Sequence, residues 1–181
     1  GADGETLRQM EEVLGMTLDE LNMYIHSYME NSPETEKYKL KLANSIWFTD
    51  DERFTVKQDF LQTNADYYGA DIYKAPFDDT TLDDINNWVS DNTDEMIGDI
   101  LDKIPDAAVM YLVNALAFEA EWQDIYLKTQ VSTGRFKPED GTAKNVEFMH
   151  SQEHVYLEDD NATGFMKYYK DSKYAFVALL P

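Results

Sequence analysis

His150-Ser-Gln-Glu-His154 is the stretch whose residue types and spacing could carry chemistry outright. It has the form H-x-x-E-H, an inverted zinc-peptidase motif. On a helix, two such histidines would share a face and could hold Zn²⁺ while Glu153 activated a bound water. The neighbours argue against a helix. Val146 and Phe148 before it, and Val155, Tyr156 and Leu157 after it, read as strands. The motif is therefore expected in a surface hairpin turn, which cannot bring both rings to one face. No carboxylate on a downstream helix offers a third ligand. A zinc hydrolase acting through His150, Glu153 and His154 stays as an alternative reading, and the expectation is no metal and no cofactor.

Other chemistry is thinner. Glu158 to Gly164 loosely has the form of a calcium loop, but counting from Asp159 puts Lys170 where a bidentate Glu is required. It reads as a turn. Asn161-Ala-Thr163 is a formal N-glycosylation sequon, meaningful only in a glycosylating secretory pathway. Ser27 lies beside His26, yet adjacent helical residues do not face each other. With no catalytic triad, no phosphate-binding glycine loop and no cysteine, the chain is not expected to be an enzyme. Trp47, Trp88 and Trp122 have apolar neighbours and read as core anchors more readily than as a ligand cage.

Composition narrows the partners. A formal charge of −21 repels nucleic acid and anionic lipid, so neither is an expected partner, and its plain use is solubility. The 181 residues suffice for one domain with a real core. The absence of cysteine fits a bacterial protein of any compartment. Gly1 to Leu7 lack the basic start and apolar core of a signal peptide.

The segment that must organise the rest is Ala107 to Trp122, nearly all apolar in its first twelve residues except Tyr111 and Asn114. It is shorter than the roughly 18 to 20 residues that span a bilayer, and is expected to be buried on both faces. Its alanines lean towards helix, while Val109, Tyr111, Val113 and Phe118 lean towards strand. A buried Asn114 would need partners for its amide.

Around it, Thr6 to Gln9 and Thr17 to Glu20 have the form of capping boxes opening two helices, the first stopped by Gly15. Their apolar faces carry Leu7, Met10, Val13 and Leu14, then Leu18, Leu21, Tyr24, Ile25 and Tyr28. A loop is expected over Asn31 to Glu34, and a strand over Leu40 to Phe48. Then come a helix over Val56 to Gly69 and an edge strand over Asp71 to Phe77, whose Pro76 suits an edge. Thr81 to Asp84 is a weaker cap, opening a helix with Leu82, Ile85, Trp88 and Val89 inward. After Trp122 short strands follow, over 133–136, 145–149, 154–157, 164–169 and 174–180, separated by polar turns.

Leu112 to Trp122, LVNALAFEAEW, resembles the serpin-family pattern of the third strand of the large central sheet A. Asn114 falls on that family's shutter asparagine and Trp122 on its breach tryptophan. Glu119 and Ala120 depart from the Lys and Gly common there. Asn44-Ser-Ile-Trp47 and Asn64 to Phe77 resemble strand 2A, helix E and strand 1A. Asn86 to Val89 with Met96 to Leu101 is similar to helix F and its exit. The resemblance implies an α+β serpin fold in part: helices C and D over about 1–37, sheet A strands with helices E and F over 38–122, and sheet C and B strands over 123–181. It implies a fragment, of a bacterial member, without the first two helices and without the half that bears the reactive-centre loop, since a full serpin is about twice as long.

The function implied is that of an irreversible trap for serine, or else cysteine, proteases. A cleaved loop inserts as a strand into sheet A. Without the loop this chain should not inhibit alone. The implied partners are a target protease and the remainder of the same serpin chain, outside the cell or at its surface. The alternative of another class is a non-inhibitory serpin acting as a carrier or binding scaffold.

Overall fold

The computed structural model describes residues 1–31 and 37–181, with the backbone alone at Asp171. Most of the loop expected over Asn31 to Glu34 lies outside the described residues. Two units are distinguished, Gly1–Glu34 with Lys39–Phe118, and Thr35–Tyr38 with Glu119–Pro181.

The first unit is built on strand β1 (Tyr38–Thr49), which pairs on one side with β2 (Asp71–Ala75) and on the other with β3 (Met110–Ala120). β2 runs parallel to β1, from Ser45 opposite Asp71 to Thr49 opposite Ala75. β3 runs antiparallel, since the Thr49 N–H donates to the Val109 carbonyl while Asn114 meets Asn44. Alternation along β1 sends Ile46 to one face and Trp47 to the other. Helix α3 (Gln58–Tyr68) covers the first face, with Ile46, Leu61 and Ala70 as its core. Helix α4 (Asp79–Asn92) covers the second with Ile85, Trp88 and Val89 against Trp47 and Ala115. A central strand with helices on both faces buries Ser45, Ile46 and Trp47 in succession.

The long apolar run is a strand, and it is not buried on both faces as expected. Ala115 and Ala117 are buried, on the α4 side, whereas Leu112 is 65% and Leu116 55% exposed and Asn114 is exposed with them. Among the described residues β3 stands at the margin of the sheet, and the α3 core reaches it only at Met110.

Helix ends follow local chemistry, with two corrections. Helix α1 (Gly4–Leu14) is capped by Asp3, whose carboxylate accepts the Gly4 N–H at 2.7 Å, so Thr6 lies inside it. Gly15 ends it at φ 70°, a left-handed conformation suited to glycine. Helix α2 (Leu18–Glu30) has the expected reciprocal Thr17–Glu20 box. α4 is capped by Asp78 through the Thr81 N–H, and the Thr81 hydroxyl instead accepts the Phe77 N–H. The apolar stripes expected to pack are largely open: α1 buries no residue and α2 only Asn22, leaving Met10, Val13, Leu14, Leu18, Tyr24 and Tyr28 exposed.

In the second unit β4 (Val131–Phe136) and β5 (Lys144–Met149) form an antiparallel pair. β6 (Val155–Glu158), β7 (Thr163–Tyr168) and β8 (Ala175–Leu180) form an antiparallel sheet with β7 central. Across β7 and β8, Gly164 lies so close to the Ala178 carbonyl that a Cβ would overlap it. Among the described residues no helix is long and apolar enough to cross a membrane.

Candidate functional site

Asn114 begins a relay of polar side chains through the first unit. Its amide nitrogen donates to Asn44 Oδ1 at 2.8 Å and, at 3.4 Å, to the Ala43 carbonyl. Asn44 in turn donates to the Tyr68 carbonyl at 2.9 Å, and the Tyr68 hydroxyl donates to Asn22 Oδ1 at 2.7 Å. Four side-chain bonds thus tie β3 to β1, to the end of α3 and to α2. Burial pushes the Tyr68 hydroxyl above its usual range. A cleft of about 140 Å³ lies over the relay, lined by Asn44, Asn64, Tyr68, Leu112 and Asn114 among others. The expectation that Asn114 is a buried amide is corrected, while its need for a partner is met. Asn44 was legible as one member of an alternating strand and of the step resembling strand 2A, but not as the partner of Asn114. Its facing Asn114 across the β1–β3 ladder is the signal that a pairing register would have supplied.

Trp122 stands in the second unit. Its ring stacks on Tyr169 at 4.4 Å with planes 10° apart, and meets Phe176 edge-on at 6.0 Å. The backbone there is pinned, with Trp122 bridged to Tyr169, the Gln123 N–H on the Tyr168 carbonyl and the Lys170 N–H on the Glu121 carbonyl. Glu121 also receives the ammonium of Lys170, and its carboxyl is held below the usual range mainly by that bond.

Beside Trp122 lies a residue that sequence reasoning passed over. Lys167, on β7, is only 4% exposed. Its ammonium donates to Glu153 Oε1 at 2.8 Å and lies 4.7 Å from the Tyr126 ring centre and 5.6 Å from that of Trp122. Burial alone would lower the Lys167 pKa. Burial is the largest single influence, but the bond to Glu153 together with the charges of Tyr126, Glu153 and Asp124 outweighs it, and the net direction is upward. Glu153 is held below the usual carboxylate range by the Lys167 bond first and the Ser151 hydroxyl second.

This disposes the H-x-x-E-H residues differently from either expectation. The segment is not a hairpin turn, because it joins β5 of one sheet to β6 of another. Glu153 is committed to a cation, the reverse of what a base activating a metal-bound water needs. His150 Nε2 pairs with the Ser132 hydroxyl at 2.9 Å, and His154 is exposed. Among the described residues no three His, Cys, Asp or Glu side chains gather as a metal site. Asp159 accepts the N–H groups of Asn161 and Ala162, closing the expected turn. Trp47 and Trp88 are buried, each satisfied through its indole N–H, by Ser45 and Asp71.

α4 is tied down at its exit. Asn86 uses both ends of its amide on the backbone of Ile100 and Leu101. Thr93, fully buried, donates to the Val89 carbonyl and accepts the Ile97 N–H. Asp94, at φ 52°, takes the ammonium groups of both Lys39 and Lys41 from β1.

Known proteins resemble this chain in sequence and fold. The profile of the family described as Serpin (serine protease inhibitor) matches residues 1–181. Serpin B10 of Bos taurus is 30% identical over 190 residues, covering 99% of this chain and 47% of its own length. The solved native state of tengpin, a thermophilic serpin, is 50% identical with a TM-score of 0.86 over 99% of this chain and 47% of that one. A serpin in a loop C-sheet polymer is also 50% identical, with a TM-score of 0.89 over 99% of this chain and 48% of that one. The chain spans about half the length of the relatives it matches. With a profile that runs from its first residue to its last, and a fold superposing on solved serpins over the same span, the chain belongs to the serpin family.

Proposed function

We propose that these residues are the part of an irreversible protease inhibitor that receives the inserting loop. The observation that carries the reading is the state of β3. It stands at the margin of its sheet, paired with β1 on one side, so the backbone groups along its outer side could pair with another strand. In this reading a serine protease attacks a peptide carbonyl of a reactive loop outside this chain. Its Oγ forms the ester, the amine leaves, and the freed loop inserts beside β3 before water can release the enzyme. Asn114 acts at the middle of the opening sheet, and Trp122, two residues beyond β3, at the end where the loop enters. The target, a serine or a cysteine protease, is met outside the cell or at its surface.

The test is expression of the complete reading frame that encodes these residues, followed by incubation with a panel of serine and cysteine proteases. The expected result is a covalent complex that survives denaturing electrophoresis. Cleavage of the loop without such a complex would overturn the reading in favour of a non-inhibitory carrier.

A further inference from the structure

We infer that Lys167 is the positioning residue of Trp122, a buried cation that fixes the indole against Tyr169. Trp122 has Tyr169 stacked on it at 4.4 Å, Phe176 at its edge, and the Lys167 ammonium 5.6 Å from its ring centre. That ammonium is not free to wander. Tyr126 faces it at 4.7 Å, and Glu153, itself held by the Ser151 hydroxyl, bonds it at 2.8 Å. A cation within about 6 Å of an indole face is attracted by the ring quadrupole, the more so when desolvated. An unpaired buried ammonium would be costly, so the Glu153 bond is what permits the charge to sit there. The arrangement is directional: Glu153 holds Lys167, and Lys167 with Tyr169 holds Trp122. If the inhibitor reading holds, on which this further step rests, Lys167 also keeps Trp122 in place until the loop is cut.

The test separates charge from bulk. Lys167→Met keeps the stem and its packing but removes the cation, while Lys167→Arg keeps a cation. In the protein encoded by the complete reading frame, the Trp122 signal is isolated by subtracting the spectrum of the same background carrying Trp122→Phe. The expected result is that Lys167→Met shifts Trp122 emission to the red and raises its acrylamide quenching about twofold, while Lys167→Arg leaves both at the wild-type values. Wild-type quenching in the Met variant, or a red shift and raised quenching in the Arg variant relative to wild type, would overturn the positioning role, and the Arg arm needs no folded Met variant. Spontaneous loss of inhibitory activity at elevated temperature should quicken several-fold in the Met variant only. A wild-type protein that forms no protease complex refutes the inhibitor reading and leaves the Trp122 measurement to decide the role of Lys167.

Discussion

The relay from Asn114 to Asn44 makes a quantitative prediction by double-mutant cycle. Asn114→Ala removes a good bond of 2.8 Å and a long one of 3.4 Å from an exposed amide, which should cost about 0.5–1 kcal/mol. Asn44→Ala removes the acceptor of the same bond and also the 2.9 Å donation to the Tyr68 carbonyl. With one exposed and one part-buried bond lost, it should cost about 1–2 kcal/mol. Because the Asn114–Asn44 bond disappears in either single variant, the double variant should be less destabilised than the sum by about 0.5–1 kcal/mol. Urea unfolding of the four proteins measures this, provided the slope m is common to all. Additivity within about 0.3 kcal/mol would refute the relay as an energetic unit, whatever the geometry. In the protein encoded by the complete reading frame, Asn114→Ala should also lower the melting temperature and speed polymer formation on heating, read by native electrophoresis. Neither moving would sink the proposed role of Asn114 in holding the sheet shut.

Glu153 should make the second unit acid-sensitive. Its folded pKa lies below the ordinary 4.5 because of Lys167 and then Ser151, so its contribution is complete above about pH 4.5 and is lost as pH falls through the lower folded value. Glu153→Gln should cost near the lower end of about 3–5 kcal/mol, since its side chain is 17% exposed, and should flatten that part of the stability profile between pH 3 and 6. Asp124 and His154 also bear on the pair and are present in both proteins, so a profile with unchanged slope would refute the assignment to Glu153. Gly164→Ala should destabilise by about 1–3 kcal/mol, because the new methyl meets the Ala178 carbonyl across the β7–β8 pair; a neutral change in thermal unfolding would show that the strands part freely there. Asp94→Asn should speed hydrogen exchange over residues 93–101 at the exit of α4, and added salt should do the same to the wild type, because Lys39 and Lys41 then lose their charged anchor. Equal protection in both proteins would leave the Thr93 and Asn86 bonds as sufficient anchors.

What could be read beforehand divides along a physical line. Alternation in β1 and the 3–4 spacing in α4 were legible because each reports a periodicity of the backbone itself. The fate of Ala107 to Trp122 was not. An apolar run states what a strand could bury, and only the neighbouring elements decide what it does bury. α4 covers Val113 and Ala115, and nothing in the α3 core reaches Leu116. The caps failed for a similar reason. Thr6 and Thr81 fit the pattern, but Asp3 and Asp78 stood three residues earlier, and the earlier carboxylate took the free N–H groups in both helices. The H-x-x-E-H segment is the most instructive case. Reading it as a metal motif gives the histidines the leading part, whereas in the fold its Glu153 is the informative member. A carboxylate in a link between two sheets has a choice of partners that spacing along the chain cannot rank. Fourteen residues on, the lysine of β7 is the group that most needs an anion, because among the described residues it alone is buried with its charge. The rule that follows is to ask of every lone charge in an apolar strand which distant carboxylate must meet it. Applied to Phe165-Met-Lys-Tyr-Tyr169, that question leads from Lys167 towards Glu153, and from there to the face of Trp122.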